Sequence, residues 1–580
     1  MIGGSMRGID KEQLHRIEAL SPARRAWLES RLAGMIPGSN PARIASALKD
    51  GGIARVYHVP GTPMYPTLAA CRAAGMELLM ARHQSSAVMM SLSDSFLNGS
   101  IESVVMVSPG PGATNATTGI LVARDNCWPL LVLGGGRPPQ DDIHGTFQEL
   151  ESVRLFQPLT KWAGRVAHGD HLGEMIAHGL KVAVAGKPGP VYLEMPEQVL
   201  LGQGKESPAL ELPLLPFPPA IDAADVSRCL DVLKQARRPL LMLGKGTRWT
   251  VSSTKLRTLV DLLGLPFITG PMAWGLIPDD HPLCFDRVSH HAQEDADVVL
   301  QVGLRQNWCN RFGSALGPDA RIVRVNVDDT GHDFNRRPWL NIHGDAGEFM
   351  AALCDRVDPE TAQVARQRMD GPWLQRLQQR RDRKRQSIDR KARADQSPVS
   401  PYRLAAAVNE FAADRMFCVY DGNVAMAAAQ QVIRSRHPWR RMNAGTNGCI
   451  GSGIPFAIGA AMADRSTRVL VLCGDTGFGI SIMELETAMR AGLRLIVVVA
   501  NNDGVTGRLP QEAYFPAEAE HVTTFISGLR YDRMITAMGG YGEYVEDAQA
   551  LLPALQQAEN AATVSCINVR VDGRVPHPGS

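Results

Sequence analysis

Apolar runs and polar breaks alternate along this chain as strand, turn, helix and strand, three times over. "RVYHVPG" (55–61) is a short apolar run ending in a Pro-Gly turn. "ESVVMVSPGPGATNATTGILVARDNCWPLLVLGG" (102–135) reads as strand, Gly-rich turn, helix and strand, and "GPVYLEMP" (189–196) closes the unit. After the Pro-rich "LELPLLPFPPA" (210–220), runs at "RPLLMLGKG" (238–246), "ADVVLQVG" (296–303) and "ARIVRVNVD" (320–328) mark a second unit. A third begins near residue 400 and contains "RVLVLCGDTGFGISIMELETAMRAGLRLIVVVANNDGVTG" (468–507). Near-continuous apolar runs separated by helical patterns predict parallel sheets covered by helices on both faces. The expected fold class is α/β, with three sequential doubly wound parallel-sheet domains.

Two stretches stand apart from this alternation. Residues 9–35 ("IDKEQLHRIEALSPARRAWLESRLAGM") mix charge and apolar residues at helical spacing and are expected to form an N-terminal helical arm. Within it, "LSPARRAWLESRLAG" resembles segments that flank modules of peptide-synthetase and polyketide assembly lines; a surface arm is the plainer reading. Residues 376–393 hold nine Lys or Arg against two Asp and no aromatic residue, which predicts a solvated helical linker rather than a nucleic-acid surface. The expected division is an arm at 1–38, domains at 39–209, 210–355 and 400–580, and a charged helical linker at 356–399.

Composition adds exclusions. A net charge of +2 over 580 residues gives no basis for polyanion binding. The 10 cysteines include no pair two residues apart and read as reduced thiols, so a cytoplasmic protein is expected. The opening "MIGGSMRGIDKEQLHRI" lacks a leader-like apolar run, and no window reaches the roughly 20 apolar residues of a membrane span.

Chemistry concentrates where the 468–507 stretch breaks. An apolar strand that ends in Gly474-Asp475 delivers a carboxylate to the C-terminal sheet edge, where open α/β sheets bind ligands. Gly474 is expected to permit a tight turn, and the small Thr476 and Gly477 let backbone N–H groups approach a phosphate at the next helix. The following strand brings Asn502 to the same edge. The Asp475 carboxylate, the Asn502 amide oxygen and the Gly504 carbonyl are hard oxygen donors suited to Mg²⁺ together with phosphate oxygens and water.

These residues form a fingerprint of thiamine diphosphate enzymes, and the resemblance covers nearly the whole chain from about residue 40. "VSPGPGATNATTGI", "TFQELESVRLFQPLTKW" and "GKPGPVYLEMP" resemble the pyrimidine-binding domain of the acetolactate synthase and decarboxylase superfamily. "DNCWPLLVLGGG", "VGLRQNWCNRFG", "GDTGFGISIMELET" and "LRYDRMITAMGGYGEYVE" are most similar to the 2-hydroxyacyl-CoA lyase and oxalyl-CoA decarboxylase branch. The resemblance names the domains pyrimidine-binding, central and diphosphate-binding. It implies thiamine diphosphate and Mg²⁺ as cofactors, with two chains sharing each cofactor in a homodimer or homotetramer.

Carried over by position, the resemblance makes Asp475, Asn502 and Gly504 the metal ligands and places Gly474, Thr476, Gly477 and Asn423 beside the diphosphate. In "GTNGCIGSGIP", Gly448 is the carbonyl acceptor for the cofactor's amino group and Ile450 the apolar wedge between its rings; plain core packing is the alternative for Ile450. Val59, Pro60 and Gly61 form the turn against the pyrimidine, and Gln148 lies near the thiazolium unless it is a satisfied buried amide. Pro109 removes a backbone donor beside that turn. The central domain resembles one that binds ADP in oxalyl-CoA decarboxylases and FAD in acetolactate synthases, which makes "LGKGTRW" (243–249) a candidate nucleotide turn.

One position departs from the pattern. Most relatives carry Arg-His-Glu where "LLMARHQSSAVMM" (78–90) has His83 and Gln84, and the resemblance assigns that Glu the hydrogen bond through which the cofactor activates itself. A carboxamide holds a hydrogen bond but shuttles no proton at neutral pH. Losing a positioned acid–base group costs about 10²–10⁴ in rate. Three readings stand: a working site with slower, Glu-independent activation, as in glyoxylate carboligase, a relative that also lacks the Glu; a catalytically silent cofactor-binding subunit; and an introduced substitution that traps a complex. The family-like surroundings favour the first, with His83 in an orienting or proton-relaying place.

The expected activity is cleavage or formation of a carbon–carbon bond next to a carbonyl, foremost on a 2-hydroxyacyl or oxalyl thioester. The alternative is an acetolactate synthase-type carboligase that takes a 2-keto acid donor and an aldehyde or ketone acceptor. The chain's end, "INVRVDGRVPHPGS", lacks the tail that closes over CoA in many thioester-using relatives, which counts against CoA itself. No nucleic-acid or membrane partner is expected.

Overall fold

The structure, a computed structural model, describes residues 38–138, 144–204, 218–328, 335–412, 414–516, 519 and 521–575. The expected arm, apart from its last residue, and the Pro-rich linker up to residue 217 lie outside the described residues. The chain divides into two compact units at residues 215 and 216.

The first unit holds one six-stranded sheet: β1 (Arg55–Val59), β2 (Glu77–Met80), β3 (Ser103–Val107), β4 (Leu130–Gly136), β5 (Trp162–Arg165) and β6 (Pro190–Pro196). Its order is β2-β1-β3-β4-β6-β5, with every neighbouring pair parallel. The buried apolar residues of β1, β3, β4 and β6, among them Val56, Val104, Leu131 and Leu193, join one core with helix residues such as Ile44, Leu68 and Ile176.

The second unit holds two sheets. The central one comprises β7 (Pro239–Leu243), β8 (Phe267–Thr269), β9 (Val298–Val302), β10 (Arg321–Asn326) and β11 (Leu340–His343), in the order β11-β10-β9-β7-β8. The last comprises β12 (Met416–Asp421), β13 (Arg441–Met442), β14 (Arg468–Gly474), β15 (Leu495–Asn501), β16 (Tyr541–Val545) and β17 (Ser565–Arg570), in the order β13-β12-β14-β15-β17-β16. Both are wholly parallel. Counted from its own first strand, the last sheet repeats the order of the first, 2-1-3-4-6-5. The chain therefore crosses to opposite sides of β1 and of β12, and the crevice at each switch point, β1/β3 and β12/β14, is where such sheets bind ligands.

The charged run of the expected linker lies on the helix Pro372–Ala392, which is not solvated along its whole length. Trp373, Leu374 and Leu377 at its start are buried in the core of the central sheet, and Ile388 is buried near its end. Among the described residues no helix is long and apolar enough to cross a membrane.

Candidate active site

At the first switch point β1 runs into Pro60-Gly61 and β3 into Ser108-Pro109. The two turns touch: a Cβ on Gly61 would lie 2.6 Å from Ser108 Cβ, so no larger residue fits there without movement. The helix Gln84–Asn98 starts beside them, because the His83 ring Nδ1 accepts the Ser85 N–H at 3.2 Å and caps it. Gln84 is buried, at 8% exposure, and its Oε1 accepts from Asn115 Nδ2 at 3.1 Å. Its Nε2 lies 3.6 Å from where a Cβ on Gly112 would be, which places the carboxamide against the β3 turn. Gly110 is left-handed (φ 56°), and a Cβ there would meet Gln148 at 2.8 Å. Gln148 is itself left-handed (φ 61°) and half-buried rather than a satisfied buried amide. The structure thus brings Pro60, Gly61 and Gln84 to the β3 turn, and sets Gln148 at Gly110.

Ten residues into the same helix, Asp94 is fully buried and accepts from Arg55 at 2.8 Å and from Tyr57 Oη at 2.8 Å. Burial pushes its carboxyl up, opposed by the Arg55 guanidinium. This pairing ties the helix that begins at Gln84 to β1, the strand that runs into Pro60.

At the second switch point Asp475 stands, buried, at the start of the helix Asp475–Ser481. Its Oδ1 accepts from Thr476 N at 2.7 Å; its Oδ2 accepts from Asn502 N at 3.2 Å and Gly504 N at 3.1 Å. The structure therefore gathers the three expected metal ligands at one corner. Burial raises the Asp475 carboxyl to about 6, and neighbouring Asp503 adds to the rise, so a cation there would remove a real penalty. Asn502 Oδ1 is buried and has no hydrogen-bond partner among the described residues. A buried oxygen left unpaired is costly, and a hard cation at that corner would satisfy it. These residues fit Mg²⁺. Among the described residues no group of three or more His, Cys, Asp or Glu could hold a metal.

The reason expected for Gly474 needs correcting. Its φ of −77° and ψ of 162° are ordinary extended backbone, so no turn demands glycine there. A Cβ on it would meet nothing within 4 Å; what the glycine leaves is open space over the corner. Gly477 is constrained by Asp421 instead, whose carboxylate would lie 3.0–3.2 Å from an added Cβ. Asp421 ends β12 and accepts from Gly453 N at 2.8 Å, with the amides of Gly422, Gly451 and Ser452 also lowering a carboxyl that burial raises to about 6. Asn423, two residues on, is exposed at the start of the helix Val424–Val432 and caps none of its N–H groups.

Gly448 is left-handed (φ 71°) with open space around it, and Ile450 is 41% exposed, which excludes plain core packing for it. Ile480 packs toward the same loop and is 60% exposed. Thr446 anchors the loop to the central domain: its carbonyl accepts from Trp308 Nε1 at 2.9 Å and its hydroxyl from Lys245 Nζ at 3.1 Å. The candidate nucleotide turn "LGKGTRW" is used in the same way. Gly244 N donates to Val302 O and Gly246 N to Gly303 O, both at 2.9 Å, so these amides are spent inside the sheet edge rather than offered to a phosphate.

Three family models match in order: "Thiamine pyrophosphate enzyme, N-terminal TPP binding domain" over residues 42–155, the central domain over 226–353, and the "C-terminal TPP binding domain" over 421–569. A 2-hydroxyacyl-CoA lyase of Oryza sativa subsp. japonica is 30% identical over 555 residues, covering 92% of this chain and 95% of the relative. The chain belongs to the thiamine pyrophosphate enzymes. An oxalyl-CoA decarboxylase of Escherichia coli (strain K12) is 29% identical over 91% of this chain and 94% of its own length. An acetolactate synthase large subunit of Mycobacterium tuberculosis is 28% identical over 92% and 96%. The match to both binding domains makes this a thiamine diphosphate-dependent enzyme, with each switch point inside one of them.

This thiamine pyrophosphate enzyme also uses residues that the sequence pattern did not single out. Asp421, two residues before Asn423, holds the loop before Gly453. Asp503, between the expected ligands Asn502 and Gly504, is left-handed (φ 59°) and buried; it accepts from Ser527 Oγ at 2.8 Å, Gly528 N at 3.1 Å, Arg508 at 3.2 Å and Arg570. An Asp between two expected ligand positions was the available signal; of its cationic partners Arg508 is five residues on, and Arg570 comes from β17.

Proposed function

We propose that this protein cleaves the carbon–carbon bond next to the carbonyl of a 2-hydroxyacyl or oxalyl thioester, using thiamine diphosphate and Mg²⁺, with Gln84 in the activating position. The observation that carries the reading is the corner at Asp475, where an unpaired buried Asn502 oxygen joins a buried carboxylate, in a chain whose relatives include a lyase and a decarboxylase acting on CoA thioesters. Asp475, Asn502 and the Gly504 carbonyl hold the cation, and the small residues from Gly474 to Gly477 give the diphosphate room. When bound, thiamine diphosphate supplies the electron sink for the carbon left by the broken bond.

The protein's own part is positioning and exclusion of water. Ile450 presents an apolar face beside the Gly448 carbonyl, and Lys245 and Trp308 hold the loop that carries both. Gln84 holds a hydrogen bond and moves no proton. A homodimer is the smallest assembly this reading needs. Acetolactate synthase-type ligation remains the second reading, supported by the synthase relative.

The test is turnover with thiamine diphosphate and Mg²⁺ on a panel of 2-hydroxyacyl thioesters, oxalyl thioesters and 2-keto acids, read by mass spectrometry. Aldehyde and a one-carbon thioester, or carbon dioxide from the oxalyl thioester, is the expected result. Turnover of 2-keto acids alone would move the assignment to the carboligase reading. Sedimentation velocity checks the dimer.

A further inference from the structure

Beneath β13 lies a small cleft in which three donor atoms are left without partners. Arg441 is 6% exposed and Ser435 4%. The Arg441 guanidinium lies over the Trp274 ring, 4.1 Å from its centroid, and 5.0 Å from that of Tyr420. Its Nη1 makes one long bond, 3.4 Å, to Ile433 O. Arg441 Nε and Nη2 and Ser435 Oγ are buried and have no hydrogen-bond partner among the described residues. A buried guanidinium with one weak hydrogen bond is costly unless something else satisfies it.

Both residues line one cavity of about 20 Å³, walled also by Asn409, Cys418, Arg434 and Arg440. That space suits one or two particles the size of water. Its electrostatics select among them. Arg434, Arg436, Arg440 and Arg441 line it against one carboxylate, Asp414, which is engaged by Arg436 at 3.1 Å, and Arg436 is further paired with Asp280 at 2.8 Å. Asp279 is near enough for its charge to act on Arg441 and Arg434, but it does not line the cavity; its Oδ1 has no hydrogen-bond partner among the described residues and its Oδ2 accepts from Ser435 N at 2.9 Å. The unpartnered atoms on the wall are therefore guanidinium nitrogens, which only donate, and a hydroxyl that can donate.

We propose that this cavity binds a small monovalent inorganic anion, chloride at physiological salt, held by Arg441 Nε and Nη2 and Ser435 Oγ. The anion bridges the 433–441 segment and β12, whose Met416, Cys418 and Tyr420 form the far wall. That segment runs through β13 into the loop that carries Gly448 and Ile450, so the ion stiffens the approach to the active site without touching it. The inference is independent of which thioester or keto acid the enzyme uses.

The test pairs a heavier halide with stability. In crystals soaked in bromide, an anomalous peak is expected in the cavity within about 3.5 Å of the Arg441 and Ser435 donors. In solution, Tm is expected to be about 2 °C higher in chloride than in isethionate at equal ionic strength. Arg441→Met should abolish that difference. Should Arg441→Met fail to fold, Ser435→Ala, which removes one donor, should reduce the difference and weaken the bromide peak. Water-like density with no anomalous peak overturns the proposal. A bromide peak with equal Tm in both salts means binding at crystal concentration only, and overturns it as well.

Discussion

Replacing Gln84 by Glu is the most informative single change in this enzyme, because it alters one atom type in a fixed frame. Gln84 Oε1 is held by Asn115 Nδ2 at 3.1 Å, and Nε2 faces the β3 turn near Gly112. A Glu of the same shape keeps the Asn115 bond and puts a carboxylate oxygen where the Nε2 amide group now stands. At 8% exposure with one neutral hydrogen bond, its carboxyl should sit above the ordinary Glu value, toward the pH at which a proton-moving group works best. A positioned acid–base group contributes about 10²–10⁴ in rate, or roughly 3–5 kcal/mol of barrier. The assay is hydrogen–deuterium exchange at C2 of bound thiamine diphosphate, followed in the protein and in Gln84→Glu at matched cofactor occupancy. Exchange should be faster in the variant by about that factor. If both bind the cofactor equally and exchange at the same rate, Gln84 does not occupy the activating position, and the reasoning from its site fails.

Three further outcomes follow from other residues. Asp475→Ala should weaken thiamine diphosphate and Mg²⁺ binding by at least about 100-fold, measured by tryptophan fluorescence titration, with the fold retained by circular dichroism. Asp503→Ala should destabilise the protein by about 2–3 kcal/mol in urea unfolding; the figure is below that of a fully buried ion pair because Arg508 is 39% and Arg570 20% exposed and water screens what is lost. Asp286, half-buried beside Thr269, has its carboxyl raised by desolvation to about 6 despite 2.6 Å bonds from Thr269 N and Oγ1. A carboxyl raised on folding contributes stability that is fully present below its unfolded value near 4 and is lost as pH rises through 6. Asp286→Asn should therefore flatten the decline in stability between pH 4 and 6, and an unchanged profile in thermal melts would count against that role.

Strands that are buried on both faces announce themselves, which is why β1, β3, β4, β6, β7, β9, β10, β14 and β15 were legible as apolar runs. Edge strands were not. β5 is Trp-Ala-Gly-Arg with every residue half-buried, and β13 is two residues long; neither carries a period or a run. The cation corner was legible because its three donors cluster at the ends of adjacent strands. Asp503 was passed over because the residues that make it matter, Arg570 on β17 and Ser527 in a loop, are far along the chain. The charged helix misled for a related reason: Trp373 and Leu374 precede the basic run and Leu377 lies just inside it, and their burial depends on packing against the separate central sheet, which the run itself does not announce.

The repeated strand order gives the two switch points different chemistry on the same frame. In the last sheet the crevice between β12 and β14 is lined by ionisable groups, Asp421 and Asp475, each raised by burial and each held by backbone amides. In the first sheet the equivalent crevice is lined by Pro60, Gly61, Ser108 and Gln84, all uncharged. Asp94, on the same helix as Gln84, cannot stand in for a missing carboxylate there, since Arg55 and Tyr57 hold it buried against β1. His83 is the adjacent titratable side chain, yet its Nδ1 accepts the Ser85 amide as the helix cap. That bond fixes the ring by the start of the helix and so serves to orient Gln84. Among the described residues lining this crevice no acid stands beside the neutral carboxamide, so the slower activation expected from Gln84 turns on that side chain and its immediate neighbours together.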